Sequence, residues 1–165
     1  MSRRKLIKWS LVAFPVLLIV FVVVSVGPDT IADSRHLHQL ERALAEVPTP
    51  PDTEQLDTHS GVGILVGNGN HCDFFVGTVF RSSSTSDSIR QHYAGRTFIS
   101  PITSKQEQFD VTILTNRESL SGLWLPYRFD QPEAWGLSEQ TFVTGTVFLV
   151  SIMRSYEANN DWRCW

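Results

Sequence analysis

The chain is poor in the residues that most chemistries need. It has two cysteines and no Cys-x-x-Cys pair, which removes dithiol redox motifs and cysteine-rich zinc modules. It has no Gly-x-Ser-x-Gly nucleophile turn. Its glycine-rich stretch, Gly67-Asn-Gly-Asn70, is followed by neither Lys-Ser/Thr nor the start of a helix, so it lacks the means to cradle a nucleotide phosphate. Excess positive charge is missing too: 14 Lys+Arg stand against 17 Asp+Glu, which excludes a nucleic-acid partner held by bulk charge. Charged residues make up only 19% of the chain, and 10 Phe, 5 Trp and 3 Tyr can bury enough apolar surface to exclude a disordered polyelectrolyte. No internal repeat or low-complexity tract is present. One ordinary domain plus an appendage fits in 165 residues.

What is present is unevenly spread. Trp9 to Val26 is an uncharged run broken only by Ser10, Pro15 and Ser25. At ~1.5 Å per residue it makes about 27 Å of helix, close to the ~30 Å of a bilayer core. Arg3, Arg4, Lys5 and Lys8 precede it, and the residues just beyond it are charge-balanced, so the positive-inside rule predicts a cytoplasmic N-terminus. The expectation is a basic cytoplasmic tail over 1–8, a single-pass anchor over 9–27 and everything further outside the cell membrane. A cleaved signal peptide is the competing reading. The run exceeds the usual ~7–15 residue signal core, and Pro28 follows the first small pair, Ser25 and Gly27; Thr30 and Ala32 offer a better cleavage site. No cysteine near the run's end could take a lipid. The first 32 residues carry four cations and one acid, and the remainder ten cations and sixteen acids: a basic anchor ahead of an acidic domain.

That topology places Cys72 and Cys164 where disulfides persist. Pairing them is the expectation, with two buried thiols or an intermolecular bridge as alternatives. The bond would fasten Asp161-Trp-Arg-Cys-Trp165 to the start of a strand. No metal or other cofactor is expected: His71 and Cys72 are strand neighbours facing opposite ways, His36 and His38 diverge on a helix, and His59 and His92 are isolated.

Asp33 or Ser34 can cap a helix reaching about Glu46, with Leu37, Leu40, Leu44 and Val47 along one face, before Pro48, Pro50 and Pro51 stop it. Such a stripe is too short for a stable coiled coil and predicts packing on the domain. Pro48 to Ser60 reads as a linker or extended arm, so residues 33–60 form a helix and proline-containing linker and 61–165 an extracytoplasmic α+β domain. Within that domain, Asn68-Gly69 between Val62–Val66 and Cys72–Arg81 predicts a hairpin. Ser84-Thr-Ser-Asp87 predicts a capped helix ending near Gly95. Phe109–Leu114 and Thr141–Met153 predict strands. Apolar residues on both faces of the second, with Phe142, Phe148, Val150 and Ile152 opposite Val143, Val147, Leu149 and Met153, make it a middle strand. The fold class is α+β: an N-terminal transmembrane helix, then a small antiparallel sheet with one or two helices packed on one face.

Thr115 to Gln140 is a long connection rich in aromatics, and loops of this length are often functional. Trp124, Tyr127 and Trp135 are the candidate binding residues, able to stack on sugar rings or to anchor a protein; the plainer reading places the tryptophans in a satellite core under the loop. Asp130 and Glu133 could be a glycosidase carboxylate pair, but their spacing suits a cap and first-turn acid of one short turn. No catalytic residue is assigned. The function expected is a membrane-anchored, non-enzymatic module that binds a protein or an envelope polymer. The alternative is an anchored hydrolase or transpeptidase, for which the Thr-Leu-x-Thr-Cys signature of sortases is missing and Lys105 is the only outside lysine.

Overall fold

The polar stretch after the prolines carries more structure than a linker. The computed structural model describes residues 15–16, 27–65, 67, 71–121, 123, 125, 129, 132–157 and 161–164. In it Thr53–Gly63 forms strand β1, paired antiparallel with β2, His71–Ser82, from Thr53↔Ser82 to Gly63↔Asp73. Its polarity is that of an edge strand, whose outer side faces water. The Asn68-Gly69 turn of this hairpin lies outside the described residues.

Two α-helices and four further strands follow among the described residues. Helix α1 runs over 27–45 and α2 over Ser86–Tyr93. Strands β3, Thr97–Ile99, and β4, Gln106–Gln108, make a separate two-stranded ribbon. Strands β5, Asp110–Leu114, and β6, Thr146–Glu157, finish the main sheet in the order β1-β2-β6-β5. β2 and β6 pair along their whole length, from His71↔Glu157 to Ser82↔Thr146, and both are flanked by strands on either side. The expected middle position of β6 is therefore found, as is the small antiparallel α+β domain. Among the described residues no helix is long and apolar enough to cross a membrane. The expected 9–27 anchor falls outside them except at Pro15, Val16 and Gly27.

Four local expectations need correction. Helix α1 is already formed at residue 27, so Asp33 is an interior helical residue and not a cap. Ser34 likewise bonds back to the Thr30 carbonyl (2.7 Å), the usual habit of a mid-helix serine. The cap of α2 is Thr85, one residue later than the Ser84 box, with its hydroxyl accepting from Ser88 N–H (3.3 Å). Strand β6 starts at Thr146 because Gly145, at φ 92°, turns the chain there; a Cβ on it would stand 2.6 Å from the Ser82 carbonyl oxygen. Glu139–Phe142 is a 3-10 turn instead of strand, which moves Phe142 to the other side of the sheet and leaves Val143 exposed.

The fourth correction concerns layers. The sheet is covered on both faces. On one, α1 and α2 bury Leu40, Leu44, Ile89 and Tyr93 against Phe74, Val76, Phe148 and Ile152, and that burial pushes the Tyr93 phenol up to about 12 despite Arg96 nearby. The α1 stripe faces inward as its spacing predicts. On the other face no α-helix packs among the described residues. Instead 3-10 turns at Arg117–Leu120 and Pro132–Trp135 fold the long connection over Phe75, Val79, Val147 and Leu149. Alternating strand residues supply both cores, which is why β2 reads as a continuous apolar run.

Candidate functional site

The catalytic candidates come together in arrangements that do not support turnover. His71, Asp73 and Ser155 meet at the paired ends of β2 and β6, the residue types of a nucleophilic triad. Their order is wrong. Asp73, fully buried, sits in the middle: its carboxylate accepts from Ser155 Oγ (2.5 Å), from the Leu65 N–H (3.0 Å) and lies 3.1 Å from His71 Nε2. A serine is activated by an imidazole placed between it and the acid, so this network ties β1, β2 and β6 together without preparing a nucleophile. Cys72 is consumed in the disulfide. Lys105 is exposed in a turn. Asp110 is exposed at a strand start and pairs with Arg154 (3.4 Å). Arg154 also holds Glu107 through Nε. Burial would raise the Glu107 carboxyl, but hydrogen bonds from Arg154 and Thr103 and the guanidinium charge outweigh it and lower the pKa. Glu133 is exposed, and Asp130 lies outside the described residues.

Of the three expected binding residues, Trp124 and Tyr127 also lie outside the described residues. Trp135 is 1% exposed. Its indole N–H donates to the Phe129 carbonyl (2.7 Å), and its ring packs edge-on against His59 and Phe75 at centroid distances of 4.6 and 6.3 Å. It covers Gly77, where an added Cβ would meet Phe75 Cζ at 2.6 Å and Trp135 Cη2 at 3.2 Å, so a glycine in mid-strand makes room for two rings. His59 secures the same turn from β1, its Nε2 2.6 Å from the Ala134 carbonyl. Trp135 is the wedge of the second core and offers no face for stacking.

The open concave feature lies elsewhere. A cleft of about 580 Å³ runs between the C-terminal part of α1 and strand β3. Val47, Pro48, Phe98 and Phe109 give it an apolar lining, and Ile99, 65% exposed, stands at its margin. Arg42, Arg96, Gln39 and Glu46 supply the polar part. Arg96 is positioned by its Nε, which donates to the His92 carbonyl (2.6 Å). Among the described residues the Arg42 guanidinium makes no ion pair or hydrogen bond. Two guanidinium groups against one carboxylate are notable on a domain that is acidic overall. Strand β3 lines the cleft and pairs only with β4, so its other edge has no strand partner among the described residues. A smaller cleft of about 330 Å³ between α1 and the β1–β2 pair differs: its polar groups are already bonded, Thr58 to Thr78 (2.9 Å) and Glu41 to Ser60 (2.5 Å). Sequence reasoning missed the main cleft because its residues come from three separate segments, none of which carries a motif.

A third arrangement fastens the first half of α1 to the C-terminal turn. The Cys72–Cys164 disulfide is formed, with Cα atoms 4.9 Å apart and both cysteines buried. Beside it Asp161, fully buried, accepts from the Arg163 backbone N–H (3.0 Å), Nε (2.9 Å) and Nη2 (2.5 Å), and from Thr30 Oγ1 (3.3 Å). Arg163 reaches on to the Thr30 carbonyl (3.0 Å), and its own carbonyl accepts from Ile64 N–H (3.0 Å). Burial opposes ionisation of Asp161, yet the hydrogen bonds and charge of Arg163, with a further hydrogen bond from Asp33, lower its pKa.

Comparison of this chain with protein-family models, curated proteins and solved structures finds no match.

Proposed function

We propose that the chain is a membrane-tethered binding module whose α1–β3 cleft takes an extended, acid-bearing peptide segment of a partner protein. The observation that carries this reading is the unpaired Arg42, with Arg96, over an apolar floor beside an unpaired strand edge. A peptide added to β3 gains main-chain hydrogen bonds, its alternate side chains rest on Phe98, Phe109 and Val47, and its carboxylate meets the two guanidinium groups. The absence of a triad-ordered nucleophile among the described residues favours binding over the hydrolase or transpeptidase alternative.

The test is panning of a displayed peptide library against the full chain in detergent. Enriched peptides are expected to combine an acidic residue with β-branched or aromatic neighbours. Arg42→Ser and Arg96→Ser should each weaken the best of them about ten- to a hundredfold, the worth of one charge-assisted hydrogen bond. Failure to enrich any peptide, or equal capture by both variants, would overturn the assignment.

The tether itself rests on the uncharged run from Trp9 to Val26 and the four cations before it. An impermeant protease added to intact cells is expected to remove the domain and leave the N-terminus protected. A protected domain would place it on the other side of the membrane and remove the extracytoplasmic half of the proposal.

A further inference from the structure

The corner where α1, β2 and the C-terminal turn meet contains more ligand chemistry than a disulfide uses. Asp33 is 4% exposed, and its Oδ2 lies 3.7 Å from the sulfur of Cys72. One carboxylate oxygen and the sulfurs of Cys72 and Cys164 all lie within 4.8 Å of one another, and all three residues are buried. Four-coordinate zinc, with Zn–S of about 2.3 Å and Zn–O of about 2.0–2.2 Å, sets sulfur–oxygen edges of about 3.5 Å. The existing Asp33–Cys72 separation is already close to that edge. One turn further along α1, on the same helix face, His36 presents Nδ1 buried and without a hydrogen-bond partner, 3.9 Å from Asp33 Oδ1. A buried ring nitrogen left unsatisfied is uncommon, and this one lies beside Asp33, which itself lies next to the Cys72 sulfur.

We infer that the reduced form of the Cys72–Cys164 pair, with Asp33 and His36, is a site for one thiophilic divalent cation of the zinc class. Disulfide and metal are alternative states of the same corner. Two equivalents of a small thiol reduce the bond and leave as their own disulfide, giving two protein thiols. The cation then replaces both thiol protons, and a carboxylate oxygen of Asp33 becomes a further ligand. The sulfurs must part from bonding distance to a tetrahedral edge of about 3.7 Å, on backbone positions only 4.9 Å apart. Asp161 and Arg163 stay as the surrounding hydrogen-bonded shell, which orients ligands at such centres. The physical consequence is that the junction of α1, β2 and the C-terminal turn stays closed in either redox condition, through a covalent bond when oxidising and a metal when reducing. This inference is independent of the peptide cleft.

The experiment is a cobalt(II) titration of the full chain in detergent micelles, with and without a phosphine reductant. The reduced chain is expected to take up one equivalent, giving the intense visible bands of tetrahedral cobalt together with sulfur-to-metal charge transfer. The oxidised chain should take up none. Asp33→Asn and His36→Ala should each weaken binding about tenfold or more, and zinc should displace the cobalt. Because reduction removes the covalent constraint on the fold, thermal unfolding of the reduced protein is followed with and without zinc. A higher midpoint with zinc, or refolding by it, supports the site. The inference fails if the reduced chain binds no cobalt, if Asp33→Asn binds as tightly as the parent, if the oxidised chain binds equally, or if zinc leaves the reduced chain unfolded.

Discussion

Cys164→Ser is expected to lower the unfolding free energy of the oxidised chain by about 4 kcal/mol. The bond spans 92 residues in sequence, and closing a loop of that size removes roughly 4 to 5 kcal/mol of chain entropy from the unfolded ensemble, which strain in the folded state can only reduce. For a domain whose total stability is of the order of 5 to 15 kcal/mol, that is a large share. Cys72→Ser should cost nearly the same, because either change deletes one and the same constraint. Equilibrium urea unfolding of the parent and both variants measures it. A loss below about 1 kcal/mol, or two alkylated thiols in the parent treated without reductant, would show that the bond does not close the native chain in solution. The variants should also loosen the ends first. The C-terminal turn meets β1 and α1 through Arg163 and Asp161, and hydrogen exchange should speed at Ile64 before it does in β2.

Trp135→Ala carries the second large effect, about 3 to 5 kcal/mol of destabilisation. The side chain is buried to 1% exposure among Phe75, Phe129, His59 and Leu149, and truncation empties the space over Gly77 while leaving the Phe129 carbonyl without its indole donor. Trp135→Phe should recover part of the loss by refilling the volume without restoring the hydrogen bond. Because the second core has no α-helix over it, the 3-10 turns depend on this wedge and on His59. Limited proteolysis of Trp135→Ala should therefore cut first between residues 115 and 140, ahead of the sheet. A variant with an unchanged midpoint and an uncut connection would mean that Leu120 and Leu137 hold the face without it. The substitution is thus unsuitable as a probe of binding: it removes core, so lost partner capture would follow from unfolding.

Much of the scaffold was legible in residue order. β6 announces itself through apolar residues on both faces of its centre, a pattern that suits a strand covered on both sides. The stripe Leu37, Leu40, Leu44 and Val47 gave the inward face of α1, and the pairing of Cys72 with Cys164 followed from there being no other thiol. The misreadings share a cause. β1 looks like a linker because an edge strand needs few apolar residues, and its strand character comes from the backbone edge that β2 offers. Asp33 looks like a cap because a carboxylate near a helix start stabilises it. Nothing local shows that its real partners are Asp161 and Cys72, more than 120 and 39 positions away respectively. Trp135 looks available for binding because it lies in a polar, proline-containing connection, and only the hollow above Gly77 shows what it fills.

Sequence alone determined the elements whose signal is periodic or compositional: the long uncharged run near the N-terminus, the two-faced last strand, the amphipathic helix and the single possible intramolecular disulfide. These depend on neighbours within a few residues, or on counting. Tertiary structure alone decided which chemistry meets which: a cleft assembled from α1, β3 and Phe109, an aspartate standing where a triad would need a histidine, and Asp33 of α1 brought beside the two cysteines. Each is a coincidence of segments far apart in the chain, and no local spacing encodes such a meeting until the sheet has set the strand order.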